Sequence, residues 1–324
     1  MKKFVLIDGN AMLHRAYHAL TPLTSKSGEV VNAVYGFFSM FLKIIQDLKP
    51  QYLAVCFDKE KPTFRQQLYV GYQAQRPKMA DDLVPQIGIV HDVLKRANIA
   101  IFEVDGYEAD DLIGTLANQV QSSKFKVQSS ETIIVSGDRD MLQLVNSRVK
   151  VLAPVKGITE MILFDGKLVE EKYGIRPSQI IDYKSLVGDS SDNYPGVAGI
   201  GPKTACWLLN EYGSFENMYK NINFLPPKIA QKLATDSEQA ALAKKLATIV
   251  TDAPITLRMN ECLCANFDTK GLKDGFEKLG FKSLIKRLDS DDSKENSLLR
   301  QLADSEGQAK GKKEKEKNQQ LGLL

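Results

Sequence analysis

Short apolar runs and longer amphipathic stretches alternate along the first half of the chain. The runs at residues 4–7, 52–57, 99–104 and 132–136 are rich in β-branched and aromatic residues, which predicts strands. Helical periodicity lies between them, as at 31–48 and 82–97. Strand and helix in alternation predict an α/β unit with a mostly parallel central sheet flanked by helices. From about residue 177 the strand pattern fades. Helical stretches at 178–187, 202–212, 227–233 and 238–250 replace it, the first entered through Pro177 and a Ser cap. From residue 289 the chain is mixed in charge and poor in apolar residues, which predicts a flexible tail. The expected organisation is an α/β domain over 1–176, a helical region over 177–288 and a charged tail over 289–324.

Composition narrows the class without naming a partner. Over 324 residues, 43% are hydrophobic and 26% charged, which excludes a wholly disordered chain. The balance of Lys and Arg over Asp and Glu is 43 − 40 = +3, too small a surplus to point to a ligand. Four cysteines (Cys56, Cys206, Cys262, Cys264) are too few for a disulfide scaffold and lack zinc-like spacing. The N-terminus meets Asp8 after four apolar residues and reads as neither a signal peptide nor a membrane span. A reducing cytoplasm is the expected location.

The candidate chemistry lies in carboxylates. Asp8 and Asp58 follow predicted strands directly, and Asp138 follows one after Ser136-Gly137. Sites in parallel sheets form beyond the carboxyl ends of strands, so these three are expected on one edge. Glu108-Ala-Asp110-Asp111 opens a helix, where Glu108 and Asp111 are neighbours and Asp110 points elsewhere. Asp140 and the tight loop carrying Asp189 and Asp192 add to the set. Singly, each acid reads equally well as a turn former or a helix cap. Jointly they predict a cation site, because packed acids repel unless neutralised. Oxygen ligands, with three histidines in the chain, favour Mg²⁺ or Mn²⁺. Two such ions about 3.5–4 Å apart can activate water and stabilise a leaving oxygen in phosphodiester cleavage.

Two further patterns suit nucleic acid. The turn Gly199-Ile200-Gly201, followed by Pro-Lys203-Thr204, reads as a helix–hairpin–helix that holds phosphate backbone. Arg65, Tyr72 and Arg76 are spaced to share one helical face, with Arg for phosphate and Tyr for a base. Arg15 and His18, close to Asp8, add positive character, although Tyr17 and His18 also suit simple packing.

Together these motifs resemble the 5′-nuclease (flap endonuclease-like) family, and within it the N-terminal 5′→3′ exonuclease domain of bacterial DNA polymerase I. The resemblance covers about residues 1–288. It rests on Val5-Leu-Ile-Asp8-Gly, Phe57-Asp58, Gly106-Tyr-Glu-Ala-Asp-Asp-Leu112, Ser136-Gly-Asp-Arg-Asp-Met-Leu142 and the run from Gly188 to Ala205. It implies a PIN-like fold in which Asp8, Asp58, Glu108, Asp110, Asp111, Asp138, Asp140, Asp189 and Asp192 hold two or more Mg²⁺ ions. Residues 62–90 would form a mobile arch over a 5′ single strand, positioned by Arg15, Arg65, Tyr72, Gln73 and Arg76. The hairpin at Gly199, Ile200 and Gly201, with Lys203 and Thr204, would bind duplex together with K⁺. The implied protein is a monomeric 5′→3′ exonuclease and 5′-flap endonuclease at the bacterial nucleoid, serving primer removal and repair. One departure stands out: Gln73 occupies a position where the family commonly has Lys, and Gln offers only a neutral hydrogen bond. A catalytically weakened DNA-binding module is therefore the alternative. No polymerase region follows, so the chain reads as either a stand-alone nuclease or a part of a longer polymerase. The terminal Gln320-Leu321-Gly-Leu323-Leu324 resembles a short peptide that docks onto a sliding clamp.

Overall fold

The structure is a computed structural model that describes residues 2–122, 130–158 and 160–292. Six strands form the central sheet: β1 (Lys3–Asp8), β2 (Tyr52–Cys56), β3 (Ala100–Phe102), β4 (Glu131–Val135), β5 (Val149–Lys156) and β6 (Glu160–Phe164). Their order is β3-β2-β1-β4-β5-β6, parallel throughout except for β6, which returns antiparallel to β5. The first four match the expected runs. The sequence reading did not anticipate β5 and β6.

Alternation along each strand sends side chains to two buried faces. Val5, Ile7, Leu53, Val55, Ile133 and Val135 pack with α1 (Gly9–Ala19), α2 (Asn32–Leu48) and the helices beyond α3 (Phe64–Leu68), chiefly α4 (Val84–Arg96). Phe4, Leu6, Ala54, Cys56 and Ile134 face the other way, onto α5 (Ala109–Gln121) and the C-terminal half. There the chain continues through α6 (Gly166–Tyr173), α7 (Ile180–Val187), α8 (Pro202–Tyr212), α9 (Phe215–Lys220), α10 (Pro227–Thr235) and α11 (Ser237–Ala247).

Two features add to the expected organisation. The last helices, α12 (Thr269–Leu279) and α13 (Lys282–Asp292), return to the first face, where Leu272, Phe276, Phe281 and Leu284 join the core beneath α2 and α4. The end of the helical region thus contributes to the core of the α/β domain. α13 also runs into the stretch read as tail. The rest of that tail, including Gln320, Leu321, Leu323 and Leu324, lies outside the described residues. All four cysteines are free, and no described helix is long and apolar enough to cross a membrane.

Candidate active site

The carboxyl ends of β1, β2 and β4 lie side by side in the sheet and carry Asp8, Asp58 and Asp138 to one edge. Each is fixed by neighbouring donors. Asp8 accepts the Ala11 amide (2.9 Å) and the Ser136 hydroxyl (2.7 Å). Asp58 accepts the Ala109 amide at the start of α5 (2.7 Å). Asp138 accepts the Asp140 amide (2.8 Å), while its own amide donates to Ser136 (3.0 Å). Ser136 thus ties two site strands together.

Helix α5 divides its three acids. Glu108 is its N-cap and forms a reciprocal capping box with Asp111. Asp111 is fully buried, and Arg65 grips both of its oxygens (2.7 and 2.8 Å) while the Val250 amide donates to one (2.8 Å). Asp110, by contrast, shares its surroundings with Asp138, Asp8, Glu108 and Asp58. The expected pairing of Glu108 with Asp111 holds, but Asp110 is the acid that joins the edge group. Asp111, assigned by resemblance to the ions, has its acceptor capacity taken up by Arg65 and amides.

Electrostatics mark this group as short of positive charge. Burial pushes the Asp8 carboxyl up to about 7, with Asp58 and Asp138 adding repulsion. Burial also raises Glu108 to about 7, against the opposing pull of Arg65. Asp110 is held well above the ordinary carboxylate range by burial and then by four neighbouring acids. Asp58 and Asp138 are raised for the same first reason.

A second group is neutralised from within. Asp140, Asp189 and Asp192 bring oxygens within 4.8 Å of one another. Lys184 of α7 pairs with both Asp140 and Asp189, and Arg76 pairs with Asp192 (2.6 Å). Burial would raise Asp189, but hydrogen bonds from Lys184 and Ser191 outweigh it and hold the carboxyl below its usual range. The acidic loop is pinched between α7 and α8, where Gly188 (φ 78°) and Gly196 approach so closely that a Cβ on either would strike backbone.

The basic residues are arranged differently from the expected helical face. α3 ends at Leu68, and Tyr69 is extended, so Arg65, Tyr72 and Arg76 lie on a helix and two turns. Arg65 is buried: besides Asp111 it reaches Glu108 (3.1 Å) and the carbonyls of Leu246 and Thr248. It braces the interior and is unavailable to a phosphate. Tyr72 is buried too, donating to Glu108 (3.2 Å) and stacking on Tyr194, so its ring is no platform for a base. Residues 71–76, expected within a mobile arch, dock on the acidic loop. The Gln73 amide donates to the Asp192 carbonyl (2.9 Å), its side chain to the Asp192 carboxylate (3.2 Å), and Asn193 donates to the Gly71 carbonyl (2.7 Å). Gln73 adopts a left-handed backbone (φ 56°), a strained geometry for a non-glycine that these contacts hold in place. Arg15 donates to the Gly157 carbonyl (2.9 Å), and Tyr17 bonds Asp82 while packing edge-on against His18.

The glycine turn joins α7 to α8 as expected. Gly199 has φ 73°, Ile200 is buried, and α8 starts after Gly201 with no side-chain cap, leaving Lys203 exposed beside its first amides. The turn is braced by α10 and α11. Lys232 donates to the Gly199 carbonyl (2.9 Å), Asp236 accepts the Ala198 amide (2.7 Å), and Gln239 donates to the Gly196 carbonyl. The sequence reading missed this brace, as it missed Ser136, Lys184 and Tyr194. For Lys184 a signal existed: the one cation in a mostly apolar helix, five residues before Asp189.

Comparison with known proteins agrees with this architecture. Residues 3–174 match the family model for a 5′-3′ exonuclease, N-terminal resolvase-like domain, and residues 175–270 match that for a 5′-3′ exonuclease, C-terminal SAM fold. DNA polymerase I of Caldicellulosiruptor bescii is 42% identical over 288 residues, covering 88% of this chain and 33% of the polymerase. The chain thus spans about a third of the length of such polymerase relatives. The 5′-3′ exonuclease of Aquifex aeolicus is 39% identical over 289 residues, covering 89% of this chain and 96% of that one. Among solved structures, the bacteriophage T5 D15 protein co-crystallised with metal ions shares the fold at TM-score 0.63 and 17% identity, covering 94% of this chain and 99% of its own. The catalytic core of Rad2 in complex with DNA does so at 0.56 and 15%, covering 89% and 91%. With both halves of the chain matched by family models and one relative covered almost end to end, the chain belongs to the 5′-3′ exonuclease family of nucleases.

Proposed function

We propose that this chain is a Mg²⁺-dependent, structure-selective 5′ nuclease acting on DNA, an exonuclease at 5′ ends and an endonuclease at 5′ flaps. The observation that carries this reading is the edge group of Asp8, Asp58, Glu108, Asp110 and Asp138, where four buried or half-buried acids and the more exposed Asp58 meet a single ion-paired cation, Arg65, among the described residues. Such a donor set fits divalent cations: it is all oxygen, rigidly hydrogen-bonded and crowded with charge. These acids, with Asp140, Asp189 and Asp192, would hold Mg²⁺ or Mn²⁺, which would supply an activated water and charge stabilisation for the leaving oxygen.

The chain's own residues do the rest. Ser136 and the Ala11 and Ala109 amides aim Asp8 and Asp58, so little reorganisation is needed when charge develops. Arg76, paired with Asp192 but half exposed, is placed to reach a phosphate, while Gln73 beside it adds only a neutral donor. The first amides of α8, with Lys203 and Thr204, hold a duplex phosphate without reading bases. K⁺ at this hairpin has to compete with the Lys232 ammonium for the Gly199 carbonyl. DNA complexes of T5 D15 and Rad2, which share the fold, support the substrate class. We extend the reading to primer removal and repair by a monomer at the bacterial nucleoid, tethered to a sliding clamp through residues 320–324.

The test is a labelled 5′-flap duplex incubated with Mg²⁺ or EDTA and mapped for its cut. Mg²⁺-dependent cleavage near the flap junction is expected. Cleavage in EDTA, or hydrolysis of small phosphodiesters with no flap preference, contradicts the reading.

A further inference from the structure

The two acidic groups differ in one respect that the shared family chemistry does not explain. In the edge group, Arg65 on Glu108 is the single ion pair among the described residues. In the second group every acid already has a cation: Lys184 on Asp140 and Asp189, and Arg76 on Asp192. Arg76 is half exposed, but the Lys184 side chain is only 15% exposed and stands between its two partners. Those partners come from distant parts of the chain, Asp140 from the 3₁₀ turn Arg139–Leu144 after β4, and Asp189 from the two-residue strand Gly188–Asp189 that follows α7. Without Lys184, two partly buried carboxylates would face each other with nothing between them.

We propose that Lys184 is a positioning residue, a built-in counter-ion that draws Asp140 and Asp189 together before a divalent ion arrives and withdraws when one enters. The proposal rests on the metal-dependent reading above. A lysine suits the task because its ammonium is a compact single charge on a flexible four-carbon stem, able to withdraw while α7 stays in place. A divalent ion brings twice the charge and so displaces it, but only after breaking two ion pairs. Among the described residues no cation forms an ion pair with Asp8, Asp58, Asp110 or Asp138, although the charges of Lys184 and Arg76 reach Asp138 at longer range. The two positions therefore fill unequally, and Lys184 sets the difference.

The experiment titrates Mn²⁺ into the metal-free full chain without DNA, following free Mn²⁺ by electron paramagnetic resonance. Wild type is expected to show a tighter and a weaker class. Lys184→Met keeps the stem and removes the charge. It is expected to tighten the weaker class by about tenfold, the size of a typical one-unit charge–charge effect, and to change the tighter class, which Lys184 reaches only through Asp138, much less. Lys184→Arg is expected to stay near wild type. Equal or weaker binding in Lys184→Met overturns the role of Lys184 while leaving metal dependence intact. No binding in any of the three proteins overturns the metal-dependent reading itself. A second readout needs no folded variant: the ¹⁵N resonance of the Lys184 ammonium in wild type is expected to move as Mg²⁺ fills the weaker class. A resonance that does not move overturns the proposal.

Discussion

Asp111→Asn removes the charge that balances Arg65 in the interior. The pair is buried on both sides (3% and 0% exposed), and without that charge Arg65 keeps only Glu108 as its counter-ion, so the loss is expected to cost about 3 kcal/mol, the low end for breaking a buried pair. Urea unfolding in EDTA checks this, and a midpoint equal to wild type contradicts it. Gln73 calls for the opposite kind of experiment. Gln73→Lys places an ammonium beside Asp192 and Arg76, where more positive charge favours a phosphate. The single-turnover cleavage rate is expected to rise several-fold with duplex affinity little changed. An unchanged rate shows that Arg76 already supplies the charge needed.

At the scale of elements, the brace on the hairpin sets how well the turn is formed before DNA arrives. Gln239→Ala tests it without altering net charge: losing the bond to the Gly196 carbonyl is expected to weaken duplex binding a few-fold, about 1 kcal/mol. The cleavage rate at saturating DNA is expected to hold, and a fluorescence anisotropy titration beside single-turnover kinetics separates the two. What the sequence revealed of these elements follows from how local their signals are. The strands leading to Asp8, Asp58 and Asp138 announce themselves in a few consecutive residues, and α8 was bounded correctly by Pro202 and Gly213. β5 and β6 were hidden because Pro154 interrupts one and the other is an edge strand with Leu163 exposed. The shared face of Arg65, Tyr72 and Arg76 failed for a non-local reason. Contacts to Asp192, more than a hundred residues away, fold residues 71–76 into turns, and no spacing rule contains that information. Helical spacing gave the neighbourhood of Glu108 and Asp111 but is silent about Arg65, which takes up both Asp111 oxygens.

For the whole molecule, crowded acids make the metal-free fold sensitive to pH. Asp8 and Glu108 hold protons up to about 7 when folded, whereas unfolded carboxyls release them near their ordinary values of 3.8 and 4.5. Between roughly pH 4 and 7 the native state binds more protons than the unfolded one, so stability in EDTA is expected to fall as pH rises through that window, by on the order of a few kcal/mol. Saturating Mg²⁺ is expected to flatten or reverse the trend, as read by melting temperature from pH 5 to 8. A melting temperature that rises with pH in EDTA contradicts the assignment of these acids as an uncompensated group. The most direct test of the account is catalytic. Single-turnover cleavage of a 5′-flap duplex in Mg²⁺ is to be compared for wild type, Asp110→Ala and Asp138→Ala, with duplex affinity measured in parallel. The account predicts losses of about a hundredfold or more in both variants with duplex still bound; wild-type rates in both contradict it.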